Sequence, residues 1–274
     1  MSGSGLMNIL VCGLGLIGAS LAKTLKKNTN HHIMGWNRTD SVAKRALADG
    51  VIDETGELEV MMPKADVTIV NFYPEAIAPF IKEHKDLFKK NSIVTDSCGI
   101  KTKICRELEK ENFDFYFVGA HPMAGREKKG YQYASKQVFE NANFIIVYHD
   151  DNKKSTIDFV QEFSKQLGFR SVKIMSPEAH DEIISFTSQL PHCLAVSLMN
   201  SDDQKYETGK YIGDSFRDLT RIANINEDLW DELFMNNKQY LLASIERFEE
   251  QLDILKNAIR DNDDETLKVA FRKS

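Results

Sequence analysis

The sequence predicts an α/β domain with a doubly wound, mostly parallel sheet, followed by an all-helical domain. Three observations predict it. Short apolar runs alternate with helical patterns as far as Ser176. A glycine-rich turn, Gly13-Leu14-Gly15-Leu16-Ile17-Gly18, joins the first apolar run to the first helical pattern. After Ser176-Pro177 the strand signals stop and long amphipathic helical patterns take over.

Taken in order, Asn8-Ile9-Leu10-Val11-Cys12 reads as a strand, and the spacing of Leu16, Leu21 and Leu25 as the helix after it. His32-Ile33-Met34-Gly35-Trp36 is a second strand. Ser41 is placed to cap a helix that ends near Gly50. Residues 66–72 form a third strand, with Pro74 opening the next helix. Residues 92–95, 115–118 and 144–148 supply further strands, 155–167 a helix stopped by Gly168, and 171–175 a last short strand. Beyond Pro177 the periodicity predicts helices over 178–199, 215–223, 226–259 and 263–271. The expected organisation is an α/β domain over 7–176 and a helical domain over 177–274. Residues 1–6 read as an expression scar ahead of Met7. Amphipathic helices of this length need something to cover them, and packing between two copies of the chain is the expected solution.

Composition narrows the function. Hydrophobic residues make up 42% of the 274, enough to build a core. A net charge of −6 lacks the basic footprint of a nucleic-acid binder. No apolar run suits a membrane span, so no membrane partner is expected. The four cysteines, Cys12, Cys98, Cys105 and Cys193, form no CxxC pair, which fits a reducing, cytoplasmic setting.

The glycine turn matches G-x-G-x-x-G in the context that gives the motif meaning, directly after a strand and opening a helix. Gly13 allows the tight turn, Gly15 lets the backbone approach a pyrophosphate, and Gly18 lets helix and strand pack closely. The N–H groups at Leu16 and Ile17 then face the phosphates. A dinucleotide-binding domain of Rossmann type is therefore expected over 7–176. NAD sites usually carry a carboxylate at the end of the second strand. Here Trp36-Asn37-Arg38-Thr39 has none, and the Arg38 fork suits a 2′-phosphate, with Asn37 and Thr39 adding hydrogen bonds. This favours NADP over NAD.

Two further segments lie at strand ends. Gly119-Ala120-His121-Pro122-Met123-Ala124-Gly125 is expected as a shaped loop that brings His121, a natural proton acceptor near neutral pH, toward the ligand crevice. In Thr95-Asp96-Ser97-Cys98-Gly99-Ile100-Lys101, Asp96 or Ser97 is placed to cap the next helix or to touch cofactor or substrate. Cys98 has no evident base beside it, and hydride chemistry needs no thiolate. No metal-ligand spacing is present, so no metal is expected.

His121-Pro122-Met123-Ala124-Gly125 with Glu127 resembles the HPMAG-x-E motif of the prephenate/arogenate dehydrogenase family. Ser176-Pro177-Glu178-Ala179-His180-Asp181 and Ser188-Gln189-Leu190-Pro191-His192 resemble that family's SPE-x-HD and SHLPH segments. Phe216-Arg217-Asp218-Leu219-Thr220-Arg221-Ile222-Ala223, followed by Leu229-Trp230, resembles its F-[KR]-D-x-TRIA…W signature. The motifs stand in the family's order from Met7 to Phe271.

The resemblance implies a Rossmann domain, a helical dimerisation domain and an active site in which His121 and Arg221 converge on one substrate. It implies oxidative decarboxylation of prephenate to 4-hydroxyphenylpyruvate in tyrosine biosynthesis, with NAD or NADP taking the hydride. Arogenate is the alternative substrate. By motif match, His121 takes the hydroxyl proton, and Arg221 binds a substrate carboxylate. His192, Ser97, Glu127 and Trp230 line the substrate site. Asp96 belongs with Gly13, Gly15, Leu16, Ile17, Gly18, Asn37, Arg38 and Thr39 on the cofactor side. His180 and Asp181 are expected to organise the interdomain helix.

Two positions depart from the family pattern. Gly99 stands where a serine often supports the catalytic histidine, with Ser97 as a replacement hydroxyl, and Gln189 replaces the first histidine of SHLPH. Competing readings are a β-hydroxyacid dehydrogenase, which should offer a catalytic lysine instead of the His121 motif, and an NADP-binding redox sensor without turnover.

Overall fold

The computed structural model describes residues 5–125, 128–148 and 154–274. By internal contact these fall into two compact units. One runs up to Asp181 and includes Asn224–Asn236; the other comprises Glu182–Ala223 and Asn237–Ser274.

The first unit alternates β1 (Asn8–Cys12), α1 (Leu16–Asn28), β2 (His32–Trp36), α2 (Asp40–Ala48), α3 (Leu58–Met61), β3 (Val67–Val70), α4 (Pro74–Glu83), β4 (Ile93–Asp96) and α5 (Thr102–Leu108). It continues through β5 (Tyr116–Met123), β6 (Asn143–Val147), α6 (Lys154–Gln166) and β7 (Ser171–Met175) into α7 (Pro177–Ile184). The seven strands form one sheet in the order β2-β1-β3-β4-β5-β6-β7. All pairings are parallel except β5 with β6. Every residue of β3 and β4 is buried, the pattern of parallel strands covered on both faces. Ile9, Val11, Leu21, Leu25, Ile33 and Ile69 sit in the main core beneath α1. The order reverses at β1, so the crevice between the C-terminal ends of β1 and β3 is where such a sheet takes a ligand.

Three expectations need correction. The helix near residue 41 starts at Asp40, with Thr39 in the capping position and no side-chain cap, so Ser41 caps nothing. The segment expected as a loop is strand as far as Met123, with Ala124 and Gly125 beyond it. His121, Pro122 and Met123 continue β5, whose first half pairs with β4 and whose second half pairs with β6, setting His121 opposite Ile145. A strand can outrun one neighbour when a second takes over its hydrogen bonds. The expected helix over 226–259 is two helices, α10 (Glu227–Met235) and α11 (Lys238–Arg260). They break at Asn236-Asn237, where the Asn236 amide bonds back to Glu232 O at 2.8 Å, in competition with the backbone ladder.

In the second unit, α8 (Leu190–Asn200) follows α7 through a π-helical turn at Ser185–Gln189. The wide turn lies directly before Pro191, which has no N–H for a regular turn. Then come α9 (Asp214–Thr220), α11 and α12 (Asp264–Lys273). Buried polar pairs tie α11 to the chain around the π turn: Ser185 with Ser244 at 2.8 Å, and Asn237 Nδ2 donating to Gln189 Oε1 at 2.8 Å. Gln189, the departure from the SHLPH pattern, thus holds α11 in place through a neutral amide pair. Among the described residues no helix is long and apolar enough to cross a membrane.

Candidate active site

The glycine turn is built as its sequence demands. Gly13 sits at φ +88, and its N–H donates to Trp36 O at 2.8 Å, tying the turn to the end of β2. A Cβ at Gly13 would stand 2.5 Å from Asn71 O, and one at Gly18 would stand 1.9 Å from Gly13 O. Both glycines are required by the chain itself. Gly15 is different. Its φ is −76, and a Cβ there would meet nothing within 4 Å. No atom of the described residues explains a glycine at 15, and the open space there suits the close backbone approach of a phosphate group. The N-terminus of α1 has no side-chain cap and no acidic residue in its first turn, so the N–H groups at Leu16 and Ile17 suit an anion. Asn37 supports this turn directly, its Oδ1 accepting from Leu14 N–H at 2.9 Å. Arg38 and Thr39 are exposed beside it.

The second cluster gathers on β4, β5, the start of α5, and α7. Asp96 ends β4 fully buried. It accepts N–H bonds from Cys98 at 3.0 Å and Ala120 at 3.1 Å, and pairs with the equally buried Lys101 ammonium. Both its oxygens are committed within the protein, and it does not cap α5. That cap comes from Asp181, which accepts from the N–H of Lys101 at 2.7 Å and of Thr102 at 2.8 Å.

Asp181 Oδ1 also lies 2.7 Å from His180 Nδ1, and His180 Nε2 lies 2.8 Å from His121 Nδ1. An Asp181–His180–His121 chain of hydrogen bonds results, with the first two residues buried and His121 half-buried. Burial, then the neighbouring His180 and Lys101, hold His121 well below the ordinary histidine value of 6.5. Burial also lowers His180, against the raising pull of Asp181. Burial alone would raise Asp181, but the bonds from His180 and Thr102 outweigh it and keep the carboxyl below its ordinary value.

Sequence reasoning gave His180 and Asp181 only an organising part in their helix and missed their bonding to His121. The adjacent His-Asp pair just inside a proline-initiated helix was the available signal. Ser97 is half-buried and bonds no side chain among the described residues, while His121 Nδ1 is in contact with His180. A Cβ at Gly99 would stand 3.3 Å from Leu233 Cδ2 and 3.8 Å from both Cε1 and Nε2 of His121, so position 99 faces that edge of the ring. Cys98 is buried and its thiol is pushed up to about 12 by that burial, which removes it as a nucleophile.

Of the other predicted positions, Trp230 is on α10 of the first unit, and His192 and Arg221 are in the second unit. Trp230 is half-buried on α10, its ring edge-on to Phe234 at 5.6 Å. α10 is held in the first unit by Glu75 N–H bonding Glu232 at 2.9 Å, and by Lys103 bonding Asn236 at 2.9 Å. His192 and Arg221 belong to the second unit. His192 Nδ1 donates to Ser188 O at 2.8 Å, and Arg221 is exposed at the start of the 3₁₀ turn Arg221–Ala223 that prolongs α9. Arg217 is tied to Asp214 at 2.7 Å. Glu127 lies outside the described residues. No cluster of metal-ligating residues is found among the described residues.

A doubly wound sheet, a glycine turn shaped for a pyrophosphate and a histidine beyond the end of β4 define a nicotinamide-dinucleotide oxidoreductase. Residues 21–173 match the nucleotide-binding domain of prephenate dehydrogenase, and residues 176–273 match its dimerization domain. The chain is 31% identical to prephenate dehydrogenase of Bacillus subtilis over 273 residues, covering 96% of this chain and 73% of that one. It is 26% identical to cyclohexadienyl dehydrogenase of Zymomonas mobilis, covering 97% and 93%. Among solved structures it is similar to prephenate dehydrogenase of Aquifex aeolicus in complex with hydroxyphenyl propionate and NAD+, with a TM-score of 0.87 and 28% identity, covering 98% and 96%. The chain belongs to the prephenate dehydrogenase family.

Proposed function

We propose that this protein oxidatively decarboxylates prephenate to 4-hydroxyphenylpyruvate, as the step of tyrosine biosynthesis that makes the ring aromatic. The observation that carries this reading is His121, the histidine of the HPMAG motif, held by its Nδ1 in the same unit as a turn shaped for a dinucleotide. A bound nicotinamide supplies the hydride acceptor. His121 Nε2 takes the proton of the ring hydroxyl as hydride leaves the same carbon, and returns it to the ring oxygen as carbon dioxide departs. General-base help of this kind is worth roughly 10²–10⁴ in rate.

The substrate is a dianion, and Arg221 supplies a planar guanidinium for one carboxylate, with His192, Ser97, Glu127 and Trp230 lining the site. Gly13, Gly15, Leu16, Ile17 and Gly18 hold the pyrophosphate. Asn37, Arg38 and Thr39 stand at the ribose end, where the lack of a carboxylate supports NADP over NAD. Asp96 serves the cofactor side by fixing the backbone at Cys98 and Ala120.

The working form is a homodimer. It is supported by the match to a dimerization domain and by exposed apolar side chains along α11 and α12, Leu252, Ile259 and Phe271 among them. A cytoplasmic location fits four cysteines that are all free. The relative named cyclohexadienyl dehydrogenase keeps arogenate open as a second substrate. Purified protein with each substrate and with NAD and NADP decides both questions by absorbance of the reduced cofactor. Turnover of prephenate is expected, with lower KM for NADP. Inactivity with both substrates ends the assignment.

A further inference from the structure

The hydrogen bonds around His121 fix where its proton sits. An ionised carboxylate only accepts, so the contact between His180 and Asp181 places a proton on His180 Nδ1. His180 is neutral, so its Nε2 is bare. A bare Nε2 at 2.8 Å from His121 Nδ1 requires the proton of that contact to belong to His121. His121 is also neutral and therefore carries its lone pair on Nε2, the ring edge beside Gly99. The order cannot be reversed while Asp181 stays ionised, and the N–H groups of Lys101 and Thr102 hold that carboxylate in place.

We propose that His180 and Asp181 are positioning residues for the proton-accepting step: they lock His121 in its Nδ1–H form, so that Nε2 is the base. This rests on the role of His121 proposed above. When the substrate O–H bond breaks and the Nε2–H bond forms, the ring becomes an imidazolium, and its Nδ1–H then donates a charge-assisted bond to His180. The Asp181 carboxylate at the far end stabilises that charge. Near this chain stand Lys101, from the start of α5, and Asp96, from the end of β4, paired with each other; Lys101 still opposes a positive charge on His121, and the Asp181 carboxylate works against it. His180 therefore orients the ring from its Nδ1 edge, opposite the Nε2 edge that faces Gly99. Return of the proton to the ring oxygen restores the starting arrangement, and no electrons move through the chain of bonds.

The test is nitrogen NMR of the full-length protein labelled with ¹⁵N-histidine, with His121 signals assigned by their loss in His121→Asn. A protonated Nδ1 and a bare Nε2 on both His121 and His180 are expected at neutral pH. In His180→Phe, which removes the acceptor, His121 is expected to become a mixture of tautomers. The kcat should fall about 10–10²-fold, with KM for cofactor and substrate moving less than about 3-fold. In His180→Gln the amide oxygen accepts from His121 and the amide N–H donates to Asp181. That variant is expected to keep the tautomer and recover kcat to within about 5-fold of wild type.

A wild-type His121 protonated at Nε2 overturns the proposal. So does a folded His180→Phe protein with unchanged tautomer and kcat, or a His180→Gln protein as impaired as the phenylalanine variant. If melting shows that His180→Phe does not fold, the wild-type tautomer and the glutamine variant decide. Absence of turnover in the wild type refutes the functional reading and leaves the tautomer result to be judged separately.

Discussion

Replacing Gly15 and Gly18 by alanine, one at a time, separates a glycine required by the ligand from one required by the chain. At Gly18 the new methyl would stand 1.9 Å from Gly13 O, and contacts under 3.0 Å force a shift. The obstacle is backbone, so the end of β1 and the first turn of α1 must move apart. Overpacking of this kind costs about 1–3 kcal/mol or more. At Gly15 no atom of the described residues lies within 4 Å, and φ −76 suits alanine. There the free protein should keep its stability within about 1 kcal/mol, with a slight gain from the stiffer unfolded chain. The same methyl projects into the space assigned to the pyrophosphate. A displacement of about 1 Å in a bound group costs up to about 10²-fold, so cofactor affinity should fall about 10–10²-fold. Thermal melting without cofactor, and titration of NADP and NAD by calorimetry, read the two effects apart. A Gly15→Ala protein destabilised as much as Gly18→Ala, or one that binds cofactor with unchanged affinity, refutes the reasoning.

Other predictions follow the same residues. Because burial holds His121 well below 6.5, the neutral ring that the proposed mechanism uses as base persists as pH falls past 6.5. The plot of kcat/KM against pH should stay flat down to 6.5 and lose activity only below it, and an acid limb centred at or above 6.5 contradicts this. Arg38→Ala should raise KM for NADP about 10-fold or more and leave that for NAD within about 2-fold; equal effects on both cofactors would remove Arg38 from the 2′-phosphate site. Cys98→Ala should keep turnover within about 3-fold, since a buried thiol pushed up to about 12 carries no thiolate at working pH. A loss of orders of magnitude in a folded Cys98→Ala protein would require a thiol in the chemistry.

The parts of the fold legible in the sequence were those set by local pattern. The apolar runs at β1, β2 and β7 gave the strand limits found in the structure, because each run is bounded by polar or turn residues. Gly168, at φ +75 just after α6, also read correctly as a stop. What stayed hidden depends on partners distant in the chain. Gly119 and Pro122 suggested a loop, yet β6 supplies a second edge that keeps those residues in the strand. Asn236-Asn237 looked compatible with one long helix, until Asn237 is seen bonding Gln189 across 48 positions. The site was legible in the same uneven way. The glycine turn is contiguous, and its order announces its use. His121 stood out by its motif, but its partner His180 lies 59 residues away and nothing local links them.

If His121 takes the substrate proton beside a dinucleotide held by the glycine turn, its loss must slow reduction of the cofactor and spare its binding. Single-turnover measurement of His121→Asn, mixed with NADP and prephenate and followed by absorbance of the reduced cofactor, reads both. The rate of reduction should fall about 10²–10⁴-fold while cofactor affinity stays within about 2-fold of wild type. A variant that reduces the cofactor as fast as the wild type would show that the imidazole is not the base.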